Sequence, residues 1–146
     1  MTSKSDLASE KFDAGYNCAQ AVLYAFCDDL GLDKDLALKL TTGLGGGMGH
    51  MQEVCGAVSG GILALGAKHG RADGAPRAAT ELTYAKTRDL ITRFKDLHGT
   101  CLCGELLPNC DLSTPAGQQK FKEQNLRNTV CMHCVRDVVR IVAELI

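Results

Sequence analysis

The stretch Gly43–Gly66, GLGGGMGHMQEVCGAVSGGILALG, limits the folding of this chain more than any other. It carries glycine at 43, 45, 46, 47, 49, 56, 60, 61 and 66, a single cysteine, Cys55, and a single formal charge, Glu53. A glycine inside a helix weakens it by roughly 0.5–1 kcal/mol relative to alanine. A cluster this dense therefore needs an offsetting role: close backbone packing, a turn with positive φ, or a group bound near Cys55. A nucleotide phosphate is not indicated. Met48 stands where a dinucleotide fingerprint that began Gly43-x-Gly45 would need glycine, and no Gly-Lys-Ser/Thr follows. From about Glu53 to Ala67, Val54, Val58, Ile62 and Leu65 recur at helical spacing, while Gly56, Ala57, Gly60, Gly61 and Ala64 make a small-residue side open to close approach. Cys55 falls in the first turn of this predicted helix, where backbone N–H groups and the helix dipole favour a thiolate.

The rest of the chain reads as helix as well. Phe12, Tyr16, Ala19, Leu23, Phe26 and Leu30 alternate by four and three, predicting one amphipathic helix from Asp6 to about Leu30, capped by Ser3 or Ser5 and ended by Gly31. Cys18 and Cys27, nine residues apart, point to opposite sides of it, with Cys18 the inward one. Asp33 caps a short helix from Lys34 to Thr42 with Leu36 and Leu40 inward. Pro76 to Leu97 forms a long charged helix with Leu82, Ala85, Leu90 and Phe94 inward. Ser113–Gly117 reads as a turn before the polar stretch QQKFKEQN. The last helix starts at Asn128 or Thr129 and turns Cys131, Val135, Val138, Val142 and Leu145 inward. No period-two pattern occurs. The expectation is an all-α fold, residues 1–146 forming a single cysteine-rich domain, a bundle of about four long helices plus short helices and a Gly-rich loop.

Composition narrows the function. A net charge of -1 and 5% aromatic residues without Trp give no reason to expect nucleic acid as partner. The start MTSKSDLASEKFDAGY lacks the apolar run of a signal peptide, and VCGAVSGGILALGA is too short to span a bilayer, so no membrane insertion and a cytoplasmic location are expected. Eight cysteines, at 18, 27, 55, 101, 103, 110, 131 and 134, are the outlier. In a reducing compartment they point to metal, cluster or redox chemistry rather than to a disulfide framework. Cys131-Met-His-Cys134 places two thiols at i, i+3 on one helix face, able to hold one metal ion or to exchange as a dithiol; helix-start amides are expected to lower the Cys131 pKa. Val135 follows it, so the motif is not a haem-attachment site. Cys101-x-Cys103 converges only in a turn. His50, five residues before Cys55, is the most interesting of the four histidines. Four thiol stations, on the first helix, at the glycine-helix start, in the 101–103 turn and on the last helix, can meet at one end of a bundle, where four thiolates suit zinc or an iron–sulfur cluster equally by count.

Gly15-Tyr-Asn-Cys-Ala-Gln-Ala-Val, Gly43-Leu-Gly-Gly-Gly-Met-Gly, Cys55-Gly-Ala-Val-Ser-Gly-Gly, Gly99-Thr-Cys-Leu-Cys-Gly-Glu-Leu and Cys131 with its Val-rich tail together resemble the C_GCAxxG_C_C family of redox-active proteins over nearly the whole chain. The Cys-Gly-Ala order at Cys55 differs from the letter order of the family's label. The resemblance implies that Cys18, Cys55, Cys103 and Cys131 are the characteristic cysteines, with Cys27, Cys101, Cys110 and Cys134 as extras. The family is similar to part of the split-Soret cytochromes, which implies an iron–sulfur centre and leaves room for a homodimer; their haem motif is absent here.

The expectation for function is a redox-active protein, an oxidoreductase or electron carrier serving a redox partner protein. In it Cys18, Cys55, Cys103 and Cys131 bind an iron–sulfur cluster, of the two-iron (2Fe-2S) kind, with Cys101 and Cys134 as secondary metal candidates. The alternatives are a thiol–disulfide oxidoreductase or redox sensor working through Cys55, Cys131 and Cys134, a structural zinc or other metal-binding protein, and a helical domain with buried free cysteines and no cofactor.

Overall fold

A computed structural model describes residues 2–146, and among them the fold is all-α, with eight α-helices and no strand. These are α1 (Lys4–Asp13), α2 (Cys18–Leu30), α3 (Lys34–Thr41), α4 (Gly56–His69), α5 (Ala78–His98), α6 (Cys103–Leu106), α7 (Pro115–Glu123) and α8 (Met132–Leu145). A 3₁₀ turn at Thr42–Leu44 follows α3, and a π turn at Arg127–Cys131 leads into α8. Four helices are long, α2, α4, α5 and α8, at 13, 14, 21 and 14 residues. No described helix is long and apolar enough to cross a membrane.

The expected single helix from Asp6 to Leu30 is two helices. Gly15 adopts φ +102°, which ends α1, and Asn17 restarts the chain as the N-cap of α2. The Asn17 and Gln20 side chains each accept the other's backbone N–H at 2.9 Å, a reciprocal cap that satisfies two donors the helix leaves free. Asn17 Nδ2 also donates to the Thr42 carbonyl at 2.9 Å and Gln20 Nε2 to the Leu38 carbonyl at 3.0 Å, tying the start of α2 to the end of α3. Ser3, Gly31 and Asp33 take the capping and terminating roles expected of them.

The core explains the composition of each helix. α2 packs against α1, α3, α4 and α8, so it is apolar nearly all round, with Ala19, Ala21, Val22, Phe26 and Cys27 fully buried. α4 touches α2 on one side and α5 and α8 on the other. Its glycines allow this: an added Cβ at Gly60 would lie 2.7 Å from the Ala19 carbonyl oxygen, and one at Gly61 would lie 2.7 Å from Val138 Cγ1. α8 contributes Val135, Val138, Val139, Ile141 and Val142 to the same core.

Several expectations about faces are corrected. Leu36 and Leu40 are 52% and 65% exposed, because α3 turns Ala37 and Thr41 toward α2 instead. Leu82 and Ala85 are exposed; in α5 Leu90 and Phe94 are the buried residues and the half-buried Ile91 packs against the core, since the first half of α5 lies outside it. Tyr16 is also exposed, under the Lys11 ammonium. α4 starts at Gly56, three residues later than expected, because Val54 forms an isolated antiparallel bridge with Leu102. The turn expected at Ser113–Gly117 is the start of α7, with Thr114 as N-cap and Pro115 at its first position.

Replacing Gly60 by alanine should destabilise the protein by about 1–3 kcal/mol through overpacking against rigid backbone, more than the helix-propensity gain returns. Gly66→Ala, which meets nothing within 4 Å, should be neutral or stabilising by up to about 1 kcal/mol. Urea unfolding of the two variants checks both outcomes.

Candidate functional site

The close approach of α4 to α2 sets their starts side by side. Cys18 is the first residue of α2 and Cys55 is the N-cap of α4. Only glycine fits between them: a Cβ on Gly56 would stand 2.5 Å from Cys18 Sγ. Three backbone hydrogen bonds then fasten the 101–104 segment alongside. Cys55 N–H donates to the Cys101 carbonyl (2.8 Å), Cys103 N–H to the Glu53 carbonyl (2.7 Å) and Gly104 N–H to the Gln52 carbonyl (3.0 Å). They deliver Cys103, the first residue of α6, to the same place.

The glycine loop between α3 and α4 is a left-handed turn. Gly46, Gly47, Met48, Gly49 and His50 are consecutive residues with φ between +58° and +71°, and Gln52 follows at +59°. Left-handed backbone costs an L-residue roughly 1–2 kcal/mol, which is why three of the five positions are glycine. The turn is held by Gly49 N–H to the Gly43 carbonyl (2.9 Å), Gln52 N–H to Gly46 (3.0 Å) and Glu53 N–H to Gly47 (2.8 Å). It presses bare backbone against the site, since a Cβ on Gly47 would lie 2.7 Å from Cys103 Cβ.

The π turn and α8 close the other side with Cys131 and Cys134. The result is a cavity of about 490 Å³ lined by Cys18, Cys55, Cys103, Cys131 and Cys134. Phe12, Leu107, Leu112, Phe121 and Val130 supply apolar wall, and His50, Lys122 and Arg127 supply the basic groups. No carboxylate lines it among the described residues. Arg127 lies 3.7 Å from the Phe12 ring centroid and donates to the Phe12 and Tyr16 carbonyls.

Mutual proximity governs the thiols. Hydrogen bonding from Cys55, then burial, then the like charge of Cys55 push Cys18 well above the ordinary thiol range, against the backbone N–H groups of Gly46 and Ala19. Cys55 is raised first by its contact with Cys134; Cys18 opposes this, and burial adds to it. Cys103 is pushed up to about 12 by burial and then by Cys18 and Cys110. Cys131 reaches about 12 through burial, Cys18 and Cys103, with Arg127 pulling the other way. The expectation of lowered pKa values at Cys55 and Cys131 is therefore overturned. The N–H of Ala57 does favour the Cys55 thiolate, but burial and the neighbouring sulfurs outweigh it.

The remaining cysteines divide clearly. Cys27 is fully buried in the core, its Sγ donating to the Leu23 carbonyl at 3.5 Å. Cys101 contributes its carbonyl and does not line the cavity. Cys110 is buried behind Cys103 in a small cluster with Leu107 and Leu112, and its Sγ donates to the Gly117 carbonyl at 3.3 Å. Of the histidines only His50 lines the cavity; His98 stacks on Phe94 and pairs with Asp137 at 2.9 Å. Cys134, a secondary metal candidate from the sequence, lies one helical turn beyond Cys131 and beside Cys55; its signal is the i, i+3 spacing. Among the described residues no group of three His, Cys, Asp or Glu side chains is arranged to hold one metal ion.

In metal-free protein the raised thiols make stability fall at alkaline pH. Below the ordinary thiol value of 9.0 both states are protonated; above it the unfolded chain ionises first, so stability is lost between pH 9.0 and about 12. Cys103 and Cys131 should each contribute a slope of about 1.4 kcal/mol per pH unit in that window. Unfolding curves across it, with Cys103→Ser and Cys131→Ser each flattening the slope, check this.

The comparisons agree with this picture of a cysteine-centred molecule. The profile of the family described as "Putative redox-active protein (C_GCAxxG_C_C)" matches residues 16–145, from just before Cys18 to the end of α8. A relative from Archaeoglobus fulgidus, carrying the name "Uncharacterized protein", is 28% identical over 114 residues, which is 73% of this chain and 76% of the relative. No solved structure matches. With its profile spanning every cysteine of the cavity, the chain belongs to the C_GCAxxG_C_C family of redox-active proteins.

Proposed function

We propose that this protein is an electron-transfer module whose cavity holds an iron–sulfur cluster, of the two-iron kind, on Cys18, Cys55, Cys103 and Cys131, and that it exchanges electrons with a partner protein. The observation that carries this reading is five thiols from separate elements around one cavity that has basic groups and no carboxylate in its wall.

The residues present fit such a group. An all-sulfur donor set suits zinc and iron–sulfur clusters and not the oxygen-seeking cations. A single tetrahedral ion draws its sulfurs to about 2.3 Å from one point, whereas a cluster is a body of several atoms with ligands around its outside. Thiols spread round a cavity of about 490 Å³ favour the cluster. Gly47 and Gly56 keep side-chain bulk away from Cys103 and Cys18. When bound, the cluster supplies reversible one-electron chemistry.

The chain's own groups prepare the site. Four thiols clustered with pKa values raised by burial and by each other release their protons when a cationic metal centre replaces them. The Gly46 and Ala19 N–H groups favour negative charge on Cys18, the Ala57 N–H does so on Cys55, and the Arg127 guanidinium does so on Cys131. Phe12, Leu107 and Phe121 exclude water and so tune the potential. The thiol–disulfide alternative has contact of Cys55 with Cys18 and Cys134 in its favour. Against it, the same raised pKa values leave little thiolate for exchange near neutral pH.

Anaerobic purification, or reconstitution with ferrous iron and sulfide, should give brown protein with visible absorption and bound iron and sulfide. Serine at 18, 55, 103 or 131 should remove most of the iron, and Cys27→Ser should leave it in place. Colourless wild-type protein with neither iron nor sulfide sinks the proposal.

A further inference from the structure

One wall of the thiol cavity is built differently from the rest. Gln118, Phe121 and Lys122 reach it from α7, a helix in which Gly117 is the one buried residue. The apolar residues near them, Cys103, Leu107, Cys110 and Leu112, form a small cluster distinct from the main core. The polar bonds of the segment 109–125 turn inward on itself. Cys110 Sγ donates to the Gly117 carbonyl at 3.3 Å, Gln118 Nε2 to the Leu112 carbonyl at 3.0 Å and Lys120 Nζ to the Asn109 carbonyl at 2.6 Å. A Cβ on Gly117 would stand 1.6 Å from the Asp111 carbonyl oxygen, so α7 and the chain before it are locked together. Apart from bonds to neighbouring residues at its two ends, one hydrogen bond among the described residues leads from this segment to the rest of the molecule: the Leu112 N–H donates to Gln52 Oε1 at 3.0 Å. The segment begins and ends in left-handed turns, Asn109 at φ +63° and Asn125 at φ +53°. Beyond these turns the chain is fastened again, by the Cys103 and Gly104 N–H bonds on one side and by the bonds of Arg127 to the Phe12 and Tyr16 carbonyls on the other.

We propose that residues 109–125 are a lid over the thiol cavity, opening as one unit about the Asn109 and Asn125 turns and governing passage between the cavity and solvent. The inference rests on how the cavity is walled and stands whether or not a cluster occupies it. Opening breaks the Leu112–Gln52 bond and parts Cys110, Leu112 and Phe121 from Cys103, Leu107 and Val130; the main core of α2, α4 and α8 stays packed. Lids are drawn from such weakly tied units, which open at a free energy well below that of global unfolding. A helix of nine residues does not persist once released from its packing, so opening also melts α7.

Two measurements on the metal-free full chain, at one fixed pH and across low urea concentrations, test the lid. Amide hydrogen exchange read residue by residue should give the α7 amides one shared opening, about a hundredfold more frequent than that of the α2 and α4 amides. Because that opening exposes little surface, it should respond weakly to urea, whereas exchange in α2 and α4 responds strongly. Labelling of Cys131 by a bulky maleimide should show the weak urea response of α7. Gln52→Met removes the tie to Leu112 from outside the cavity wall, and should speed α7 exchange and Cys131 labelling by the same factor, roughly tenfold. Exchange of α7 with the frequency and urea response of α2 and α4 in the wild-type protein overturns the lid. Faster α7 exchange in Gln52→Met with Cys131 labelled at the wild-type rate overturns its control of the cavity.

Discussion

How near α4 can come to α2 decides most of what this molecule is. With Gly56 against Cys18 and Gly60 against the Ala19 carbonyl, the two helices meet backbone to backbone at their N-terminal ends. A side chain at either position would separate them and move Cys18 away from Cys55. Gly61 does the same on the opposite side of α4, where it lets α5 and α8 close in. The loss of helix propensity at these glycines is offset by the burial of Val22, Val58, Leu65, Val138 and Val142 in the core around them. Core packing and site assembly are thus two results of one contact.

The glycine loop works by a second mechanism. α4 needs glycine to remove volume; the loop needs it to wind left-handed through residues 46–50. That winding spends its backbone N–H groups on the loop's own carbonyls, holds Gln52 and Glu53, and through their carbonyls positions Gly104 and Cys103. The loop and the 101–104 segment are far apart in the chain and become one structural unit around the thiols. Strain of this kind concentrates where a site must be rigid.

The thiols show how collective a site's electrostatics can be. A lone cysteine at a helix start gains from the local N–H groups and ionises more easily. Here several such cysteines line one cavity, and each thiolate would face another sulfur at close range. Burial and neighbours win over the helix ends, so the metal-free site stays protonated. The metal centre proposed for the site would reverse that balance, because the arrangement that repels a second thiolate is one that can surround a cation.

Much was legible in the sequence for physical reasons. Helical periodicity and the lack of period-two patterning determined an all-α chain, and Gly31, Asp33 and Ser3 marked their caps, since caps and periodicity are local. Gly15-Tyr-Asn17-x-x-Gln20 was equally local, but the apolar stripe from Phe12 to Leu30 continues straight across it and hid the break. Leu36 and Leu40 looked inward because a stripe on a short helix has no direction of its own; only the placement of α3 beside α2 selected Ala37 and Thr41. The residue types of the site were likewise present in the sequence, with Cys18, Cys55, Cys103 and Cys131 singled out by motif. Which sulfurs touch, whether they ionise, and what stands behind them belonged to the tertiary structure alone. Proximity of Cys134 to Cys55 and the raised thiols both arise between segments far apart in sequence, where no local pattern can encode them.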